Sequence, residues 1–361
     1  MTWAGVLFNG QVLRTVCRCG YSGYSRVRLL ATGLRSNIEH FALTYIERKR
    51  YYQTDIAISN FFNTTSMSDN SDNKVLVLCA TGKIGRNVSR ALKEKGFDVF
   101  GTTRNAKNSL EAKGIHPIVC NYTVREDIDK ALQTSGAKKV VSLTDFFGAA
   151  KSKPDVEIQH GKNAIDAAKA AGVQHFIFIS VVDPDLVNDH VKHFKTKLVI
   201  ENYLKESGLS YSILRPTAFF ENFDDAANYN PLKKGKVYFL TLEECKYCST
   251  YDIGRAAAVM LHNPTEWYGK TLDVISWKGD LKAVAAALEK VGGVPVKYGL
   301  AMPMFIRRFL KDLHNMFLYY EVEKGPKGEP EELKKVVPDA FSAEDWFRFH
   351  GKYANGEKIG E

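Results

Sequence analysis

The stretch Lys74-Val-Leu-Val-Leu-Cys-Ala-Thr-Gly-Lys-Ile-Gly-Arg-Asn-Val88 decides how the chain folds. Val75 to Leu78 is an unbroken apolar run rich in β-branched residues, as suits a strand buried on both faces of a parallel sheet. A turn built on Thr81, Gly82 and Gly85 follows at once. Ile84, Val88 and Leu92 then recur every four residues, the buried stripe of a helix that stops at Gly96. Glycines let a backbone approach a pyrophosphate, and the amides and positive dipole end of the helix attract it. The two-glycine pattern is weak alone, but between a strand and a helix it reads as a dinucleotide cradle made by Thr81, Gly82, Lys83, Ile84 and Gly85. The competing reading is a structural turn without a ligand.

Downstream, strand and helix signals alternate. Strands are expected at 97–101, 115–120, 139–143, 176–180 and 211–214, with helices at 125–132, 154–171 and 191–205 between them. Six apolar strands separated by helices imply an α/β, doubly wound parallel sheet of Rossmann type. Beyond Arg215 the alternation loosens. Strands at 236–240 and 271–275 and helices at 253–261, 281–291 and 303–320 suggest a smaller α+β C-terminal lobe, for substrate or partner, over 216–361. That divides 67–361 into a core of about 74–215 and the lobe.

The first 66 residues read differently. Up to Ile38 they hold five arginines (Arg14, Arg18, Arg26, Arg28, Arg35) and no acid, the composition of a mitochondrial transit segment. Met67, seven residues before Lys74, is a natural start, so the upstream segment also reads as a non-native leader or as a functional arm. This segment carries eight Lys/Arg against three Asp/Glu, which leaves only +4 of the +9 formal charge for the other 295 residues. Without a dense Lys/Arg run, direct nucleic-acid binding is not indicated. No apolar run nears the roughly 18–20 residues that cross a bilayer, so no membrane partner is expected. Six scattered cysteines fit a reduced setting, cytoplasmic or, if residues 1–66 are a genuine transit segment, mitochondrial. Cys245-Lys-Tyr-Cys248 has knuckle spacing but no second pair, so sheet packing is expected rather than a metal.

The cofactor is read from the end of the second strand. NAD-binding members of this architecture carry an acid about 20 residues past the glycine turn. Here Arg104 stands 22 residues after Gly82, and residues 101–107 contain no acid. A planar cation suits a 2′-phosphate, with a hydroxyl from Thr102 or Thr103, so NADP(H) is expected over NAD(H).

On Ala80-Thr-Gly-Lys-Ile-Gly85, Thr103-Arg104-Asn105, Leu143-Thr-Asp-Phe-Phe147, Gln159-His-Gly-Lys162-Asn163 and Leu214-Arg-Pro-Thr-Ala-Phe-Phe-Glu-Asn222, the chain resembles the NmrA-like family of atypical short-chain dehydrogenases. The resemblance implies that Gly82, Gly85, Arg104, Thr144 and the Phe219–Asn222 segment line the cofactor cleft. It departs from the family at Cys79, where the turn usually starts with Gly. A thiol there could crowd the phosphates or, beside a helix N-terminus, take a depressed pKa; the blander reading is a small buried residue.

Active short-chain dehydrogenases use Tyr-x-x-x-Lys on one helix, with a Ser on the preceding strand. Here Ser180 and Lys197 are kept, and His193 replaces the Tyr. Histidine can supply a proton near neutrality, and Lys197 could hold a ribose. The resemblance and the missing Tyr favour a redox-sensing regulator with little turnover and a redox-dependent protein partner. The alternative is an NAD(P)H-dependent reductase of a quinone, enone or similar carbonyl.

Overall fold

Six of the expected strands pair into one parallel sheet, and a seventh joins them from further down the chain. The computed structural model describes residues 4–8, 11–15 and 73–359, apart from 106–109, 229, 240, 304, 306, 307, 323, 324 and 357. The chain divides into two units, Met1–Thr65 and Ser66–Glu361. In the first, Ala4–Phe8 and Gln11–Thr15 pair antiparallel. The rest of the segment read as leader or transit sequence, with Met67, lies outside the described residues.

In the second unit the order begins β1 (Lys74–Val77), α1 (Lys83–Glu94), β2 (Asp98–Thr103), β3 (His116–Val119), α2 (Arg125–Ser135) and β4 (Lys139–Leu143). It continues through α3 (Pro154–Ala170), β5 (His175–Ile179), α4 (Lys192–Glu206), β6 (Tyr211–Pro216), the short β7 (Ala218–Phe219), β8 (Lys236–Phe239) and β9 (Cys245–Cys248). After α5 (Thr250–His262) come β10 (Thr271–Val274), β11 (Trp277–Gly279), α6 (Leu281–Gly292), β12 (Lys297–Leu300), α7 (Lys311–Val322), α8 (Pro330–Lys334) and α9 (Ala343–Phe349). The sheet order is β10-β6-β5-β4-β1-β2-β3.

Alternation along each strand builds the two cores. Val75, Val77, Val141, Ile177, Ile179 and Leu214 meet Val88 and Leu92 of α1 and Ile253, Ala257 and Leu261 of α5. Leu76, Leu78, Val140, Phe176, Phe178 and Ile213 meet α2, α3 and α4 through Ile128, Leu132, Ile165, Ile200 and Leu204. Burial of each large apolar side chain contributes about 1.5–3 kcal/mol. On the α1 side the helices pack closely. A Cβ on Gly254 of α5 would come within 2.6 Å of Ala91 Cβ and 2.8 Å of Val88 Cα, so only glycine fits.

Two assignments to the lobe are corrected. Thr271–Val274 is the seventh strand of the main sheet, paired parallel to β6, and α5 packs on α1 within the main core. Both follow a long excursion, so nearness in sequence misassigned them. The lobe consists of β7, β9 and β11 in one small sheet and β8 with β12 in another. Cys245 and Cys248 are buried free thiols in β9, as sheet packing required. Among the described residues no cluster could hold a metal. Of the helix expected over 303–320, Lys311–Val322 is described as α7, and residues 304, 306 and 307 ahead of it lie outside the described residues. Phe305 and Phe309 ahead of it are 68% and 82% exposed.

Candidate functional site

The strand order reverses between β1 and β4, and the crevice beyond their carboxyl ends is where a doubly wound sheet takes its ligand. The β1 side of it is the glycine turn. Cys79 sits there at φ +59°, a left-handed conformation that costs a residue with a side chain about 1–2 kcal/mol. Cys79 N donates to Thr102 Oγ1 (2.8 Å), Ala80 N to Thr102 O (3.2 Å) and Gly82 N to Cys79 O (3.0 Å), which fixes the turn. A Cβ on Gly85 would stand 2.1 Å from the Cys79 carbonyl oxygen, so this glycine lets α1 close on the strand. Cys79 Sγ lies 3.1 Å from where a Gly82 Cβ would be, so the thiol narrows the cradle on that side.

The depressed thiol pKa envisaged for Cys79 is not found. Burial, and after it the Asp145 carboxylate, raise the thiol above its ordinary value against the pull of Arg104 and Tyr122. It is a small, protonated residue closing the strand.

Two cavities meet at this turn. One, of about 370 Å³, is lined by Thr81, Gly82, Thr103, Arg104, Tyr122 and Asp145 among others. Arg104 is exposed at the end of β2. The two threonines beside it are already engaged: Thr102 Oγ1 in the turn and Thr103 Oγ1 with the backbone of Asn105. The other cavity, of about 750 Å³, reaches from Gly82, Lys83 and Ile84 past Thr144, Ser180, His193 and Lys197 to Phe219 and Asn222. Phe146, Phe147, Phe194, Phe239, Met316 and Phe317 give it an aromatic and apolar wall. Gly85 lines neither cavity and acts from beneath. Lys83 Nζ pairs with Asp225 at 2.6 Å.

On the β4 side, Lys197 projects from the second turn of α4 into a buried network. Its ammonium donates to Thr144 O (3.0 Å), Thr144 Oγ1 (2.5 Å) and Glu157 Oε1. Glu157, from α3, is fully buried and also accepts from Thr144 Oγ1 (2.8 Å) and Thr196 Oγ1. All three ammonium protons therefore have acceptors, and a ribose hydroxyl would reach Lys197 only by exchange for one of them. His193, in the first turn of α4, is bonded through Nδ1 to Asp312 of α7. The other Asp312 oxygen accepts from the amides of Lys192 and His193 (3.4 Å), capping α4 from another element. An ionised carboxylate can only accept, so the proton sits on Nδ1 and Nε2 is left as the nitrogen for exchange with a ligand. Ser180 Oγ, just past β5, is buried with no partner among the described residues, as expected of a hydroxyl awaiting a ligand.

The residues named from sequence thus fall into two adjoining cavities, with Gly85 beneath. Sequence reasoning missed Asp312, Glu157 and Asp145. Asp312 lies 119 residues from His193, and no local pattern announces it. Glu157 did carry a signal: it shares the buried stripe of α3 with His160, Gly161, Ala164 and Ile165, where an acid needs a partner.

A left-handed start, a glycine beneath a carbonyl and an orphaned hydroxyl at a cavity fit a dinucleotide lying across the strand ends. Likeness to known proteins agrees with that fold. The chain is 28% identical over 249 residues to the chloroplastic divinyl chlorophyllide a 8-vinyl-reductase of Arabidopsis thaliana, covering 62% of this chain and 59% of that one. It is 30% identical over 191 residues to the photosystem II assembly factor Ycf39 of Cyanophora paradoxa, covering 50% and 57%. The chain therefore spans less than two thirds of the length of these relatives. Among solved structures, NmrA, a negative transcriptional regulator in complex with NADP, superposes with a TM-score of 0.63 at 19% identity, covering 80% of this chain and 98% of that one. An NADPH-dependent quinone oxidoreductase of Escherichia coli, complexed with NADPH, does so with a TM-score of 0.58 at 22% identity, covering 75% and 97%. The NmrA-like family model matches residues 71–344, and with the fold and glycine turn in agreement the chain belongs to the NmrA-like family.

Proposed function

We propose that the chain binds NADPH in preference to NADH and reduces a bulky, largely apolar carbonyl, enone or quinone. The observation that carries this reading is the 750 Å³ cavity, which continues from the glycine turn to His193 and Ser180. It lies in the size range of small-molecule sites and has the usual apolar wall with a few convergent polar groups. Arg104 at the neighbouring cavity supports the 2′-phosphate. NADPH, when bound, supplies the hydride. Ser180 Oγ donates a hydrogen bond to the substrate oxygen. His193, steadied by Asp312 at Nδ1, delivers a proton to that oxygen through Nε2 and regains one from water. Names among the similar proteins, a vinyl-reductase and a quinone oxidoreductase, are compatible with this chemistry.

Anaerobic stopped-flow oxidation of NADPH over a quinone and enone panel tests it. Turnover should fall roughly 10²–10⁴-fold in His193→Ala, the usual contribution of a positioned acid. Tight NADPH binding with no oxidation of any panel member would overturn the reductase. The second reading, a redox-sensing regulator, is favoured by one observation: the ammonium of Lys197 is spent on Thr144 and Glu157. It expects NADP(H) binding without turnover and a protein partner that distinguishes the two redox states.

A further inference from the structure

The mouth of the large cavity has an unusual rim. Leu310 and Phe147 line the cavity and are also 43% and 51% exposed, so they mark its opening. Beside Leu310, Phe305 and Phe309 stand 68% and 82% exposed. Residues 301–311 read Ala-Met-Pro-Met-Phe-Ile-Arg-Arg-Phe-Leu-Lys, with three cations and no acid. Arg308 and Lys311 are exposed within it. Lys192, also exposed, adjoins it, because its amide is bonded to Asp312 at the start of α7. Two phenylalanines this exposed, next to an exposed leucine at the mouth of an apolar cavity, make a patch of the kind that marks an interaction surface.

We propose that this edge docks on an anionic lipid surface, with Phe305 and Phe309 entering the acyl boundary, Arg308, Lys311 and Lys192 on the headgroups, and the cavity mouth turned to the bilayer. Three features select lipid over a protein partner. Aromatic side chains interleaved with cations are the composition of an interfacial segment. Within residues 301–311 the charge is of one sign, complementary to phosphatidylserine or a similar headgroup. The apolar cavity opens at the same edge, so a lipophilic molecule could pass from bilayer to cavity without crossing water. The expectation of no membrane partner rested on the lack of a spanning run, and no helix among the described residues is long and apolar enough to cross. Lying on a surface makes no such demand. Docking is read by vesicle binding and catalysis by NADPH oxidation, so the failure of one reading is distinguishable from the failure of the other.

Flotation of the full chain with vesicles tests it, and because residues 1–65 are basic too, the comparison is between variants of the full chain. Binding should be clear on phosphatidylcholine vesicles carrying about 30% phosphatidylserine and weak on phosphatidylcholine alone. It should fall about tenfold or more in Phe305→Ser/Phe309→Ser, fall with added salt in the unaltered chain, and be weak with little salt dependence in Arg308→Glu/Lys311→Glu. A thermal melt checks that each variant is folded. Equal binding of the folded phenylalanine variant, or equal binding to neutral vesicles, would overturn the proposal. So would a dimer in solution that the phenylalanine variant converts to a monomer, since a second copy would then cover the edge.

Discussion

Replacing Glu157 by glutamine should destabilise the protein by about 3–5 kcal/mol, the usual cost of leaving one partner of a buried ion pair alone. The structure fixes the terms. Glu157 is 0% exposed and Lys197 9%, so water cannot replace the lost charge. Thr144 and Thr196 still find partners on the new amide, so the loss is electrostatic rather than one of packing. In a chain of this size the melting point should drop by roughly 10 °C. Lys197→Met strands the carboxylate instead and should cost about as much. The double variant removes both charges and should be more stable than either single one. Urea unfolding followed by tryptophan fluorescence, run on all four proteins, measures the cycle. If the two single costs simply add, the pair is not a buried electrostatic unit, and the account of why Lys197 is unavailable to a ribose falls with it.

Three shorter predictions follow from other groups. Burial pushes the Glu221 carboxyl up to about 7, with Oε2 lacking a partner among the described residues, so between pH 4.5 and 7 the folded chain holds a proton that the unfolded chain releases. Stability therefore falls as pH rises through that window, by about 3 kcal/mol, and Glu221→Gln should gain that much on wild type between pH 4.5 and 8 in denaturant titrations. Gly85→Ala puts a Cβ 2.1 Å from a backbone oxygen, so the turn must shift; NADPH fluorescence titration should show binding lost even if the melt shows a folded chain. Arg104→Ala should weaken NADPH about tenfold or more and leave NADH nearly unchanged, as expected for a charge-assisted contact to phosphate; equal loss for both would remove the 2′-phosphate assignment.

The Rossmann sheet was legible because its strands are continuous apolar runs and its helices carry four-residue stripes. Both are local signals, and Lys139–Leu143 was placed to the residue. The seventh strand was not legible as part of that sheet, because Thr271–Val274 is short and returns after a long excursion. The same division holds in the site. Gly82, Gly85 and Arg104 belong to one strand–turn–helix–strand passage and announce themselves by spacing. Ser180, His193 and Lys197 could be found by comparison with a known catalytic pattern. Asp312, which fixes the proton on His193, comes from a helix 119 residues further along the chain, beyond the reach of any local pattern. The left-handed conformation of Cys79 was invisible in composition, since a cysteine ordinarily implies the opposite.

The glycine contact between α5 and α1 bears on the energetics of binding. With no side chain at Gly254, the backbone of α5 rests against Val88 and Ala91, midway along the helix whose first turn forms the cradle. A helix packed that closely resists sliding or tilting, so a site at its first turn would be preformed. Ordering entropy that a looser site would spend on closing is thereby saved. Widening the contact with Gly254→Ala would therefore weaken affinity from a distance, chiefly by making the cradle a moving target.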